Sequence, residues 1–308
     1  MPIAYLHHSD CLQHDMGQGH PERATRIHAI EDQMRASQLF DFISYYEAPL
    51  AQRQQLARVH DVKYIDKILS FDNKEGGVYL DPDTVLTPHT PQAALRAAGA
   101  VIEASNLVLT NKARVAFCNV RPPGHHALPD RAMGFCFFNN VAVGAAHAIQ
   151  EYGLSRVAIL DFDVHHGNGT EAIFKDEPRV MLCSTFQHPF YPYSGADTIS
   201  EHIINVPLSA GTGGEEFREA VSRHWLPALR KFAPQMIFIS AGFDAHEEDS
   251  ISHLRWHAND YAWVTQEILI IADKYAKGRV VSTLEGGYEL HALGRSVAAH
   301  LKVLMRMI

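Results

Sequence analysis

The stretch Arg156–Phe174, RVAILDFDVHHGNGTEAIF, decides how this chain is read. Its first half is an apolar run without alternation, the pattern of a strand buried on both faces. Its second half places Asp161, Asp163, His165, His166 and Asn168 within eight positions. While the backbone stays extended, Asp161, Asp163 and His165 point to one side, and Phe162, Val164 and His166 to the other. A lone acid or imidazole at a strand end is commonly structural; five polar groups in one loop point to a built site.

Working outward, similar apolar runs begin at Arg114 (RVAFCNV), Arg179 (RVMLCSTF), Gln235 (QMIFISAGFD) and Arg279 (RVVSTLEGG). Amphipathic segments between them predict helices over 91–108, opened by Pro91; 139–151, ended by Gly153; 214–232, ended before Pro234; and 259–277, ended by Gly278. Strands alternating with helices imply an α/β fold, a mostly parallel sheet with helices on both faces, in one domain over residues 1–308. Ligands of such sheets bind beyond the carboxyl ends of the strands. There the chain places His125 and His126, then Asp163 and His165, then Asp244, then Glu285 and Tyr288. Four strands thus deliver ionisable groups to one edge, which chance placement would not do.

Asp163, His165 and Asp244 make a three-ligand set that suits zinc and leaves positions open for water and a substrate oxygen; iron(II) or cobalt could also fill it. Such a site is built for hydrolysis. Amide hydrolysis also needs a base, an acid and an oxyanion donor, and His125, His126 and Tyr288 are those types. Asp161 and Asn168, in the metal loop itself, are candidate partners fixing the histidine tautomers. Gly286 and Gly287 allow the turn that would aim Tyr288.

Composition narrows the classes. Of 308 residues, 46% are hydrophobic and 20% charged, with a net charge of -8, which offers no basic footprint for nucleic acid. No run is long and apolar enough to span a bilayer and no leader pattern opens the chain, so a cytoplasmic enzyme is expected. Cys11, Cys118, Cys136 and Cys183 lack metal or redox spacing and read as buried thiols. The oligomeric state is open.

The motifs resemble the zinc-dependent histone deacetylases and their bacterial relatives, which share the arginase-deacetylase fold. The likeness runs through HDMGQGHPERATRI from His14, RPPGHHA from Arg121, MGFCFFNN from Met133, LDFDVHHGNGTEAIF from Leu160, SAGFDAH from Ser240 and EGGY from Glu285. It implies zinc on Asp163, His165 and Asp244, with His126 as the principal base and then acid. His125 would assist with Asp161 as its partner, and Tyr288 would donate to the oxyanion. Asn168 stands where animal class I enzymes carry Asp.

The resemblance further implies potassium beside the metal loop, on Asp161, the carbonyls of Asp163, His165 and Thr185, and the Ser184 hydroxyl; a second site would use carbonyls near Phe174 and Val180. An acyl-lysine tunnel would be walled by Phe135 and Tyr191, the latter usually Phe, and floored by the Gly134 carbonyl, with Arg26 behind it. Ile251 stands where polyamine-selective relatives carry an acidic gatekeeper, which favours acyl-lysine in proteins over small acetylated amines. Glu247, Glu248 and Asp249 read as a solvated charge run that could still make the mouth acidic. The segment from Asn73, NKEGGVYLDPDTVLTPHT, is expected at the rim. The binuclear manganese ureohydrolases share the fold, but their extra bridging carboxylates are missing, and a non-catalytic acyl-lysine binder would not keep the whole set.

Overall fold

Each of the five apolar runs forms a strand in the computed structural model, which describes residues 3–72 and 76–307. In chain order the strands are β1 (Ile3–His7), β2 (Ile43–Glu47), β3 (Val78–Asp81), β4 (Thr84–Leu86), β5 (Val115–Cys118), β6 (Val157–Asp161), β7 (Val180–Gln187), β8 (Ile203–Leu208), β9 (Met236–Ala241) and β10 (Val280–Leu284). Eight join in one sheet of order β2-β1-β5-β10-β9-β6-β7-β8, and every neighbouring pair is parallel. β3 and β4 form a separate antiparallel hairpin.

The alternation hidden inside the apolar runs becomes visible as two cores. Val157 and Ile159 of β6 face one, with the helices Thr90–Leu109 and Asn140–Tyr152; Ala158 and Leu160 face the other, with Thr25–Ala36, Ala258–Tyr275 and Leu290–Leu304. Both faces of a central strand are therefore apolar, as helix-covered parallel sheets require. This is the α/β architecture expected, helices on both sides of a parallel sheet.

The helix signals act locally as read. The Asn139 side chain accepts the Ala142 amide at 3.1 Å, and Gly153 ends that helix at φ 66°, a left-handed turn that glycine makes freely. The segment 214–232 is helical throughout but not regular: Gly214–Ala220 and Leu226–Phe232 are α-helix, and Val221–Trp225 is a π-turn between them. Pro227 explains the irregularity, since it has no amide to give to the i−4 carbonyl and its ring crowds the preceding turn.

The strands β5, β10, β9, β6 and β7 are contiguous, so their carboxyl ends make one continuous rim. The four cysteines are buried and unpaired, as read. Among the described residues, no helix is long and apolar enough to cross a membrane. Of the expected rim segment, Asn73, Lys74 and Glu75 lie outside the described residues, and the remainder forms the β3–β4 hairpin.

Candidate active site

At the carboxyl end of β6 the chain stays extended, and the alternation read from the sequence holds. Phe162 and Val164 enter the apolar core, while Asp161, Asp163 and His165 face the rim. One ligand atom from each of Asp163, His165 and Asp244 lies within 4.8 Å of the others, all three residues buried. A single ring nitrogen, His165 Nδ1, stands 3.0 Å from Asp163 Oδ1 and 3.2 Å from Asp244 Oδ2.

The remaining carboxylate oxygens are used by the main chain: Asp163 Oδ2 accepts the Gly286 amide at 2.8 Å and Asp244 Oδ1 the Val164 amide at 3.0 Å. Asp244 Oδ2 is buried with no hydrogen-bond partner. An orphaned carboxylate oxygen aimed at a second carboxylate and an imidazole is costly unless a cation sits between them. Burial and Asp163 push the Asp244 carboxyl up to about 6, and the two acids outweigh burial to lift His165 to about 9. The donor set and its orphaned atom fit a divalent metal, zinc included.

Two histidines stand beside this triad, their ring centroids 4.0 Å apart. His125 donates from Nδ1 to Asp161 Oδ2 at 2.9 Å, and Asp161 Oδ1 accepts the Asp163 amide at 3.1 Å. Burial disfavours the His125 cation, but Asp161 and Asp163 prevail and hold its pKa well above the ordinary imidazole value. His126 donates from Nδ1 to Asn168 Oδ1 at 2.7 Å. Burial and the neighbouring His125 and His165 outweigh the opposing pull of Asp163 and of the Asn168 hydrogen bond, so its pKa falls well below the ordinary value. The pair is thus split into one stable cation and one base whose Nε2 carries the lone pair.

A cavity of about 250 Å³ opens over these groups, lined by His126, His165, Phe135, Phe190, Tyr191 and Tyr288 among others. Gly134 and Phe135 take φ of 57° and 67°. A Cβ at Gly134 would stand 2.4 Å from the His126 ring, so only glycine lets the Phe135 loop approach so closely. The hairpin holds that loop, because Asp81 accepts the Gly134 amide at 3.2 Å and the Thr84 hydroxyl accepts the Phe135 amide at 2.9 Å. Tyr191 meets His126 edge-on at 5.3 Å, and Phe190, which the sequence did not single out, stacks on His165 at 5.4 Å. The Gly134 carbonyl accepts the Cys136 thiol at 3.2 Å.

Tyr288 completes the wall. Burial and Asp244 raise its phenol well above the ordinary value, so it stays a proton donor. Its position rests on groups outside the expected set. Asp249 is 4% exposed and accepts the Tyr288 and Glu289 amides at 2.6 and 3.1 Å, so it is a buried turn holder, which corrects its reading as part of a solvated run. Glu248 pairs with Arg295 at 2.6 Å and Glu247 with His257 at 3.3 Å, while Ile251 lines the cavity.

Gly286 and Gly287 lie beneath the wall. A Cβ at Gly286 would fall 2.1 Å from Asp244 Oδ2 and 2.6 Å from Asp163 Oδ2. The Gly287 carbonyl accepts from Arg26 Nε at 2.6 Å, and the Arg26 guanidinium stacks 4.9 Å from the Tyr288 ring. Arg26 is itself fully buried in a network that the sequence did not disclose. Glu22 binds Arg26 at 3.0 Å and also Arg121, which donates to the carbonyls of Cys11 and His14 at 2.8 and 3.0 Å. Glu285 lies at the edge where the sequence placed it, in a role the sequence did not assign: its carboxylate collects the Gly124 and His125 amides at 2.7 and 3.1 Å and the Ser240 hydroxyl at 3.1 Å. It fixes the backbone of the histidine pair to β9 and β10, and burial lifts its pKa to about 7.

His166 points away from the cavity, as alternation requires. Its Nδ1 meets Ser194 Oγ at 2.9 Å and its Nε2 meets Glu171 at 2.7 Å, tying the loop that carries Phe190 and Tyr191 to the metal loop. Beside Asp161, the hydroxyls of Ser184 and Thr185 are buried without partners. The Phe174 carbonyl, in contrast, already accepts from Glu177 and His202 at 2.9 and 3.2 Å, and the Val180 amide is bound to Glu177 at 3.0 Å.

Comparison with known proteins shows the family and the fold. The family profile described as "Histone deacetylase domain" matches residues 20–304. The "Histone deacetylase-like amidohydrolase" of Pseudomonas aeruginosa is 38% identical over 277 residues, 88% of this chain and 73% of that protein. The "Polyamine deacetylase HDAC10" of Mus musculus is 35% identical over 308 residues, 92% of this chain and 44% of that protein. The solved HDA15 HD domain superposes with a TM-score of 0.93 at 32% identity, over 99% of this chain and 90% of that one. Sequence, fold and the arrangement at the sheet edge converge, and this chain belongs to the histone deacetylase family.

Proposed function

We propose that this hydrolase removes acetyl or another short acyl group from the ε-amino group of lysine side chains in proteins, with zinc on Asp163, His165 and Asp244. The observation that carries the reading is the meeting of this triad with His126 and Tyr288 around one aromatic cavity. A bound zinc supplies Lewis acidity to the amide carbonyl and lowers the pKa of water towards about 7. His126 is the base that takes the water's proton through Nε2 and then the acid that gives it to the leaving amine; its Nδ1–H on Asn168 keeps that nitrogen available. His125, cationic against Asp161, stabilises the negative charge of the transition state, and the Tyr288 phenol donates to the oxyanion.

Phe135, Phe190 and Tyr191 sheath the lysine methylenes and exclude water, while Ile251 gives the mouth an apolar lip. A potassium ion fits beside Asp161, where the unpartnered Ser184 hydroxyl offers an oxygen; the bonded Phe174 carbonyl makes the second such site less open. A small acetylated amine is the second reading, favoured by the carboxylate of Asp83 on the cavity wall. The test is kcat/KM of the zinc-loaded protein on an acetyl-lysine peptide and on acetylputrescine, with Asp163→Ala as the blank. Preference for the peptide supports the proposal; preference for the amine replaces it with the second reading.

A further inference from the structure

A second concavity of about 450 Å³ adjoins the cavity at Ile251 and Tyr288, which line both. Its other walls are the loop Gly19–Pro21, Arg23, and the start of the helix Leu290–Leu304 with His291. The polar groups at its walls are unevenly engaged. His20 is committed to the main chain, accepting the Glu22 amide at 3.1 Å and donating to the Asp83 carbonyl at 3.2 Å. Glu289 is turned inward and accepts the Ala292 amide at 2.6 Å. Of the nearby acids, Asp249 is spent on the Tyr288 turn and Glu248 on Arg295. Arg23 and His291 are exposed, and Arg23 enters none of the ion pairs among the described residues.

We propose that this groove is a substrate subsite that takes a carboxylate, carried by an acidic residue flanking the acyl-lysine, against Arg23. The inference rests on the acyl-lysine reading, because a side chain seated in the tunnel leaves the peptide backbone at the mouth beside Ile251, which lines both concavities. The next residue then reaches a concavity whose one uncommitted strong charge is a guanidinium, a group with a planar fork of donors suited to carboxylate.

The test uses three peptides that differ in one residue beside acetyl-lysine: Glu, Gln or Lys. With the zinc-loaded wild type at low salt, kcat/KM should fall in the order Glu, Gln, Lys, with a Glu-to-Lys ratio of about fivefold, the upper range for an exposed pair. The difference should lie in KM and shrink towards unity near 0.5 M salt, where the screening length is only about 4 Å. Arg23→Gln should flatten the series and Arg23→Glu should reverse it. A flat wild-type series at low salt, or a Glu preference unchanged in Arg23→Glu, overturns the subsite while the acyl-lysine reading stands. Turnover of acetylputrescine with none of the three peptides overturns that reading, and the subsite with it.

Discussion

Asn168→Asp isolates the electrostatic role of the residue under His126. The two side chains meet at 2.7 Å, and among the described residues the only other polar contact of the Asn168 side chain is a weak one to Met133 Sδ at 3.3 Å, so an isosteric carboxylate loses little structure. A charge about 4 Å from the imidazolium in a medium of effective dielectric about 20 favours it by about 4 kcal/mol, or close to three pH units. Burying the new carboxylate takes back part of this, leaving an upward shift of about one to two units. A base works only when unprotonated, so activity disappears as pH falls through its pKa. The wild-type pKa is depressed; raising it moves the acid limb of the kcat/KM profile to higher pH, with little change at the alkaline end. The assay is that profile on an acetyl-lysine peptide, wild type against variant. An acid limb that stays in place, or moves down, would refute His126 as the base.

Tyr288→Phe removes the oxyanion donor and should lower kcat about 100- to 1000-fold with KM little changed; near-full activity would dismiss that role. Gly286→Ala forces a methyl against the carboxylates of Asp244 and Asp163, so elemental analysis should find well under one metal per chain although the variant folds. Glu22→Gln leaves the guanidinium groups of Arg26 and Arg121 buried without their shared carboxylate, at a cost of about 3–5 kcal/mol and a fall in Tm of roughly 5–8 °C. Chelation should also lower Tm, by the equivalent of about 4 kcal/mol when free zinc had stood at a thousand times its Kd; an unchanged Tm would mean that the triad does not hold the ion.

The parts of the site legible in sequence are those where chemistry and strand position coincide. Asp163, His165, Asp244 and Tyr288 each follow an apolar run directly, and a parallel sheet sends such positions to one rim. Phe162 and Val164 were placed in the core by alternation alone, and the structure agrees. What escaped was what depends on burial of charge. Glu22, Arg121 and Asp249 look like ordinary surface residues in a string of letters, and Glu285 was placed at the rim without a role; yet each is nearly or wholly inaccessible, Glu22 bound to two guanidinium groups and the others to loop amides and carbonyls. The edge strands β2 and β8 and the helix Thr25–Ala36 were not singled out because their apolar residues are interspersed with polar ones, and β1 because a five-residue run is too short to stand out. Phe190 was missed because only the fold of its loop decides which of two adjacent aromatics stacks on His165; both line the cavity.

The sheet order has a consequence for synthesis. β10, which is made last of the ten strands, lies between β5 and β9 near the middle of the sheet. Until it emerges from the ribosome, β2-β1-β5 and β9-β6-β7-β8 are two separate slabs, each with an unpaired edge where β10 belongs. The same strand brings Glu285 to the histidine pair and Gly286 to Asp163, and the bond from Arg26 to Gly287 spans 261 residues of chain. Folding of this kind is slow because distant segments must meet before any of them is rewarded. A nascent chain therefore carries both aspartates of the triad and the histidine pair before it has the keystone strand that sets them in register, and the site is complete only when that strand has closed the sheet.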